Sequence, residues 1–385
     1  MFDPTRFIAD RTHAIDASGI RKVFDLAATL ENPIDLSIGQ PDFDVPDEIK
    51  QAAVDAIQSG FNKYTQTQGT APLIQTVRGR LDHRFPMLGD DYGMLITSGV
   101  SGALALLMLT CVQPGDEVLI PDPYFVMYKH LVNLAGGTPV FVDTYPDFQL
   151  RPERIEPLIN ERTKMLLFNS PSNPTGVVAT QQVCKEVAEL ADRHGLLLVS
   201  DEIYDEFCYE KTPDPDHPDK QVLASPLDYS SNVLLLKGFS KSYAMTGWRL
   251  GYAAGPREVI AAMTKIQQYT FVCAPSMTQA AGSMAFDVDI SSLVEAYRVK
   301  RDKVIDRIGG HYELTTPGGA FYAFPKVPDH LGVSGNEFVK RAIEKSLLVI
   351  PGGVFSERDT HFRISYACDD ARLDQGLDIL VDLAK

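Results

Sequence analysis

At 385 residues the chain is too long for one simple core, so two domains are expected; 44% hydrophobic and 23% charged residues is an ordinary globular make-up. A net charge of −15 argues against nucleic acid or an anionic membrane as partner, although a local cluster of Arg, Lys and backbone N–H groups can still hold a phosphate. No apolar run nears the roughly 20 residues that cross a bilayer, and Met1–Ile15 is polar and mixed in charge, so a cytoplasmic protein is expected.

Up to about Phe43 no sheet partner is evident, and this segment is expected to pack on the C-terminal part. From about Met94 to Ala254 short apolar runs alternate with helical stretches: Met94–Thr97, Glu117–Pro121, Pro139–Val142, Met165–Asn169, Leu196–Ser200, Val233–Lys237 and Leu250–Ala254. Runs of four or five apolar residues bounded by turns read as strands buried on both faces. Between them, Gln181–His194 carries Val183, Val187, Leu190 and Ala191 at helical spacing. Such alternation predicts a largely parallel sheet flanked by helices. Lys211–Pro226, dense in Pro and Asp, reads as a surface loop. After residue 290 come a charged helix (Leu293–Ile308), a Gly-rich extended piece (Pro317–Pro325), a helix (Asn336–Lys345), strands Leu347–Ile350 and Phe362–Tyr366, and a closing helix (Ala371–Leu383). The expected fold is α/β: a large domain over 44–285 with a mostly parallel seven-stranded sheet, plus a smaller α+β domain built from 1–43 and 286–385.

Ligands of open parallel sheets bind beyond the carboxyl ends of the strands, and the chemistry is sought there. After Met94–Thr97 comes Ser98-Gly99-Val100-Ser101-Gly102-Ala103, small residues opening a helix, which can seat a phosphate; only two glycines are present, so this is no GxGxxG. Asp122-Pro123-Tyr124-Phe125 puts aromatics at the same edge, either to stack on a flat ring or simply as core. Ser170-Pro171-Ser172-Asn173-Pro174-Thr175-Gly176 is strong turn chemistry that also presents the Asn173 amide. Asp201-Glu202-Ile203-Tyr204 sets a carboxylate at a buried strand's end, where it needs a cation such as a protonated pyridine nitrogen, or else serves as a helix cap. Gly238-Phe239-Ser240-Lys241 places a lysine just past a buried strand, with Arg249 eight residues on. A desolvated lysine is a nucleophile toward carbonyls, and Arg with Ser hydroxyls suits a phosphate, although a plain surface loop fits the same spacing. Arg363, inside the apolar Phe362–Tyr366, matches either a carboxylate ligand or a structural salt bridge. The five scattered cysteines form no C-x-x-C pair and the eight histidines no ligand spacing, so no metal is expected.

Together these pieces suit pyridoxal 5′-phosphate plus an amino acid, and from about Ile15 onward the chain resembles the class I/II aminotransferases of fold type I. The resemblance is carried in order by Ser37–Phe43, Lys63-Tyr64-Thr65, Asn173–Gly176, Asp201–Tyr204, Lys241–Arg249, Gly318–Tyr322 and Phe362–Ser365. It implies that Lys241 holds the cofactor as a Schiff base and then moves the proton between substrate Cα and cofactor C4′. It implies likewise that Asp201 holds the pyridinium, Tyr204 and Asn173 meet the phenolic oxygen, and Phe125 stacks on the ring. Ser240, Arg249 and the N–H groups of Val100 and Ser101 would hold the phosphate. Tyr64 would reach the neighbouring subunit's cofactor, making a homodimer the active unit, and Arg363 with the Gly39 backbone and Asn173 would grip the substrate carboxylate.

Two positions depart from the family. Gly238 stands where several aspartate aminotransferases have a phosphate-binding serine, and Ile74 replaces a common arginine. The expected activity is transfer of an amino group from an L-amino acid (aspartate, aromatic or other) to a 2-oxo acid such as 2-oxoglutarate, with ping-pong kinetics. Ser18–Leu26 and Gly238–Lys241 resemble the branch with archaeal-type aromatic and aspartate enzymes. The alternatives are a C–S β-lyase on the same scaffold and a non-catalytic cofactor-binding regulator. A nicotinamide dehydrogenase is disfavoured by the missing GxGxxG.

Overall fold

In this computed structural model, residues 2–16, 19, 30–89, 92–214 and 221–385 are described. The strand β1 (Ile34–Asp35) precedes the central sheet. That sheet comprises β2 (Tyr92–Thr97), β3 (Glu117–Asp122), β4 (Thr138–Asp143), β5 (Thr163–Asn169), β6 (Leu197–Asp201), β9 (Val233–Gly238) and β10 (Gly251–Pro256). In space they run β2-β10-β9-β6-β5-β3-β4. Five neighbouring strands are parallel, while β10 lies antiparallel to both β2 and β9. All seven expected runs are strands of this sheet.

Alternation along each strand sends neighbours to opposite faces. In β5, Leu166 and Phe168 join one apolar cluster while Met165 and Leu167 join another on the far face. In β9, Val233 and Leu235 divide from Leu234 and Leu236 in the same way. Both faces are covered, which is why the strands read as continuous apolar runs. Helix Gly99–Cys111, apolar on almost every side, is wedged into the second cluster. Helix Gln181–His194 starts where Thr180 accepts a bond from the Val183 N–H and ends at Gly195 in left-handed conformation.

A third cluster gathers Leu36, Tyr297, Val304, Phe338, Phe362, Ile364, Leu373 and Leu377 around β11 (Tyr322–Ala323), β12 (Leu347–Leu348), β13 (Ile350–Pro351) and β14 (Phe362–Ser365). It reaches Tyr204 and Phe207 at the end of β6, so it closes over the carboxyl edge of the large sheet. Here β1 pairs in parallel with β12, tying residues 34–36 to the C-terminal part. Farther toward the N-terminus, Asn133 donates to the Ala14 carbonyl at 3.1 Å, so the first residues lie against helix Met127–Ala135 beside the large sheet.

Two expectations need correction. The run Leu347–Ile350 is not one strand, because β12 pairs with β1 while β13 turns to pair with β14. Lys211–Pro226 is not simply a surface loop: β7 (Thr212–Pro213) pairs with β8 (Gln221–Val222), and Asp214, Leu223, Ala224 and Ser225 are buried. Arg84 draws it inward, bonding the Leu223 carbonyl and the Asp228 carboxylate. Residues 215–220 of that stretch, and Ser18–Leu26 apart from Gly19, lie outside the described residues. Among the described residues no helix is long and apolar enough to cross a membrane.

Candidate active site

The carboxyl ends of β5, β6 and β9 open into a cleft of about 340 Å³ beneath the third cluster. Ten of the expected site residues other than Tyr64 line its wall from the large-sheet side or the Ile38–Gln40 segment, and Arg363 closes it from β14. Tyr64 does not belong to it: it is 85% exposed on a segment held to the rest of the fold by bonds from Ser276 to the Phe61 carbonyl and from Gln267 to the Thr67 carbonyl.

At one end lies an anion seat. Helix Gly99–Cys111 opens without a side-chain cap, leaving its first N–H groups for a ligand, and Val100 and Ser101 line the cleft there. Arg249 is fixed beside them, donating to the Thr246 carbonyl at 2.9 Å and to the Ser98 carbonyl at 3.4 Å. Ser240 adds a hydroxyl. Gly251 makes this closeness possible: a Cβ there would lie 2.8 Å from the Gly99 carbonyl carbon and 2.9 Å from the Val100 nitrogen. Gly238 is a softer case, since what a side chain there would meet first is a side-chain tip and not backbone. A side chain would begin 2.8 Å from Ile203 Cδ1, so the site has filled the serine's room with apolar packing. Ile74, the other departure, packs half-buried against the large-sheet core.

In the middle stand Asp201 and Lys241. Asp201 ends β6 and is buried, accepting from the Tyr128 hydroxyl at 2.7 Å and the Ile203 N–H at 3.2 Å. Burial pushes its carboxyl up to about 6, tempered by those two bonds. Its neighbour Glu202 faces the other way and is fully provided for by Lys237, Ser200 and Ser225. Asp201 meets no cation among the described residues and caps a tight turn instead of a helix. A buried carboxylate left thus matches a positively charged ligand atom. Lys241 donates to the Gly39 carbonyl at 2.5 Å, and burial with Arg363 and Arg249 lowers its amine to about 8. Phe125 forms one wall, set edge-on to Tyr128 at 5.7 Å.

At the far end is Arg363, 1% exposed. It donates to Asn173 Oδ1 at 3.0 Å and to the Ser37 carbonyl at 2.8 Å, while its Nε has no partner among the described residues. Among the described residues no acidic side chain reaches it, so the salt-bridge alternative falls. Asn173 Oδ1 is taken up by Arg363, which leaves the amide N–H₂ to donate. Tyr204, buried nearby, shares a hydrogen bond of 3.0 Å with the Tyr322 hydroxyl. Three contributors were not singled out from sequence: Tyr128 behind Asp201, Tyr322 beside Tyr204, and Phe355 over Arg363. Two of them left a signal: Tyr128 by its i,i+3 spacing from Phe125, and Tyr322 by closing the family-like stretch Gly318–Tyr322.

An anion seat, an aromatic wall, an unpaired buried acid and a lysine amine in one cleft define a site for pyridoxal phosphate on an α/β scaffold, and the residues present fit that cofactor. The family model for aminotransferase class I and II matches residues 31–380, and the chain belongs to that family. It is 35% identical to a probable aspartate aminotransferase of Methanocaldococcus jannaschii, over 98% of this chain and 99% of the relative. It is 34% identical to aromatic-amino-acid aminotransferase 2 of Thermococcus litoralis, over 98% of each. Its fold matches the aspartate aminotransferase of Thermus thermophilus with maleate at a TM-score of 0.88 and 31% identity, over 98% of this chain and 99% of that one. The protein is a pyridoxal-phosphate-dependent aminotransferase.

Proposed function

We propose that the cleft takes the amino group from an L-amino acid, aspartate or an aromatic one, and gives it to a 2-oxo acid such as 2-oxoglutarate in a ping-pong cycle. The observation that carries this reading is Lys241, a buried amine lowered to about 8, beside two arginines that meet no carboxylate among the described residues. When bound, the cofactor supplies an electron sink that makes the substrate Cα–H acidic. Arg363, with the Gly39 backbone and the Asn173 amide, binds and orients the α-carboxylate. Lys241 would move the proton between the substrate Cα and the cofactor C4′ position. Asp201, held by Tyr128, keeps the ring nitrogen protonated. Arg249, Ser240 and the Val100 and Ser101 N–H groups would anchor the phosphate, Phe125 would pack on the ring, and Tyr204 and Asn173 would donate to the phenolic oxygen.

In this reading residues 44–285 form the large domain, and 1–43 with 286–385 the small one. The active unit is a homodimer in which Tyr64 reaches the partner's cofactor; its exposure supports this, as does that of Tyr269 and Phe271 at the end of helix Arg257–Thr270, which Gln267 ties to the Thr67 carbonyl. Five free cysteines are in keeping with a reducing, cytoplasmic setting.

The test is an absorbance spectrum before and after a panel of amino acids. A visible band that fades with some of them, returns with 2-oxoglutarate, and yields keto acid without ammonia is the expected result. Ammonia release would favour elimination, and a colourless protein that takes up no added cofactor would overturn the Lys241 assignment.

A further inference from the structure

The family-like stretch Gly318–Tyr322 has no role in the reading above, yet it brings Tyr322 into the cleft. Tyr322 lies on β11 opposite Ser365 of β14, and Arg363 is two residues earlier on that strand, on the same face. Its ring lies 4.5 Å from the Arg363 guanidinium carbon, and the Phe355 ring lies 4.6 Å from the same carbon. Its hydroxyl is 3.0 Å from that of Tyr204, and both side chains are buried. The fit around it is close: a side chain at Gly39, whose carbonyl accepts from Lys241, would begin 2.9 Å from the Tyr322 oxygen.

We propose that Tyr322 is a positioning residue joining the carboxylate clamp to the phenolic-oxygen donor: its hydroxyl donates to Tyr204, and its ring braces Arg363. The inference rests on Tyr204 donating to the cofactor's phenolic oxygen. A phenol has one proton, so if Tyr204 gives its own to the cofactor, the bond between the two tyrosines runs from Tyr322. Accepting that bond makes the Tyr204 hydroxyl a stronger donor. The ring acts separately, since an aromatic face against a desolvated guanidinium holds it in place without a counter-charge.

The experiment is a pH titration of the visible absorbance of the lysine-bound cofactor in Tyr322→Phe, Tyr322→Leu, Tyr204→Phe and the Tyr204→Phe/Tyr322→Phe double variant. Affinity for succinate, an unreactive dicarboxylate, is read from the same band. Donation to the phenolic oxygen eases proton loss from the neighbouring C=N nitrogen, so weaker donation raises the midpoint. Tyr322→Phe is expected to raise it by about 0.3–0.5 pH, less than Tyr204→Phe does, with succinate affinity unchanged within about twofold. In the Tyr204→Phe background the second substitution should add nothing. Tyr322→Leu should raise the midpoint equally and weaken succinate roughly tenfold.

An unmoved midpoint in Tyr322→Phe alongside a raised one in Tyr204→Phe overturns the proposal. So does an equal shift in both backgrounds, which would mean that Tyr322 acts without Tyr204. If Tyr204→Phe itself moves nothing, the reading of Tyr204 fails and takes this one with it. Should the leucine variant not fold, the phenylalanine pair still decides the hydroxyl's role.

Discussion

Lys241 and Asp201 are both moved toward neutrality by burial, in opposite directions, and each makes a testable claim about pH. Lys241 is held at about 8, so below that pH its nitrogen carries a proton and cannot attack a carbonyl. Cofactor-free protein given pyridoxal phosphate should therefore take it up faster as pH rises, with a midpoint near 8; a midpoint near 10 would describe an ordinary exposed lysine. Asp201 is raised from 3.8 to about 6. Between those values the folded, cofactor-free protein holds a proton that the unfolded chain has released, so stability falls as pH rises through that window and stays low above it. Asp201→Asn removes the buried charge. It should make cofactor-free protein more stable at pH 7.5 by up to about 3 kcal/mol, with the gain vanishing toward pH 4. Denaturant unfolding at the two pH values measures this. The same variant should lose at least a hundredfold in turnover, because nothing then keeps the ring nitrogen protonated.

The anion seat forms only because β10, β2 and the start of helix Gly99–Cys111 approach within van der Waals contact. Gly251→Ala puts a methyl group against the backbone of Gly99 and Val100, which cannot yield as a side-chain tip can. Displacing that turn should cost about 1–3 kcal/mol and lower cofactor affinity roughly ten- to hundredfold, read by equilibrium loading, with far-ultraviolet circular dichroism unchanged. The sheet was legible in the sequence because both its faces are covered, so each strand is a short apolar run with turn residues behind it. The antiparallel course of β10 was not, since nothing in Gly251–Pro256 records the direction of a neighbour. Nor was the break between β12 and β13, where two dipeptides on either side of Val349 choose different partners. The site divides in the same manner. Asp201 ends a strand, and Lys241 and Asn173 follow one within four residues, so all three could be placed from local order. Tyr128 and Tyr322 matter through bonds to residues 73 and 118 positions away, which only the fold brings together.

For the whole molecule, the structure leaves one expected site residue out of its own cleft: Tyr64 points into solvent while every other lines or closes the pocket. A lone tyrosine at 85% exposure is ordinary, but here exposed Phe61 stands three residues before it, and bonds from Ser276, Gln279 and Gln267 to Phe61, Thr65 and Thr67 hold its segment on helices Arg257–Thr270 and Ser276–Ala285. If that surface meets its copy across a two-fold axis, each site borrows a hydroxyl from the other chain. Subunit mixing tests this without a structure of the dimer. Lys241→Ala alone has no amine, and Tyr64→Ala alone lacks the borrowed contact in both sites. In a hybrid dimer the site that keeps Lys241 receives Tyr64 from the Lys241→Ala chain and is whole, while the other site lacks both. Random exchange makes about half of all dimers hybrids, so about a quarter of the sites should regain wild-type turnover. A mixture no more active than the average of its two parents would place Tyr64 in its own subunit's chemistry, or in none.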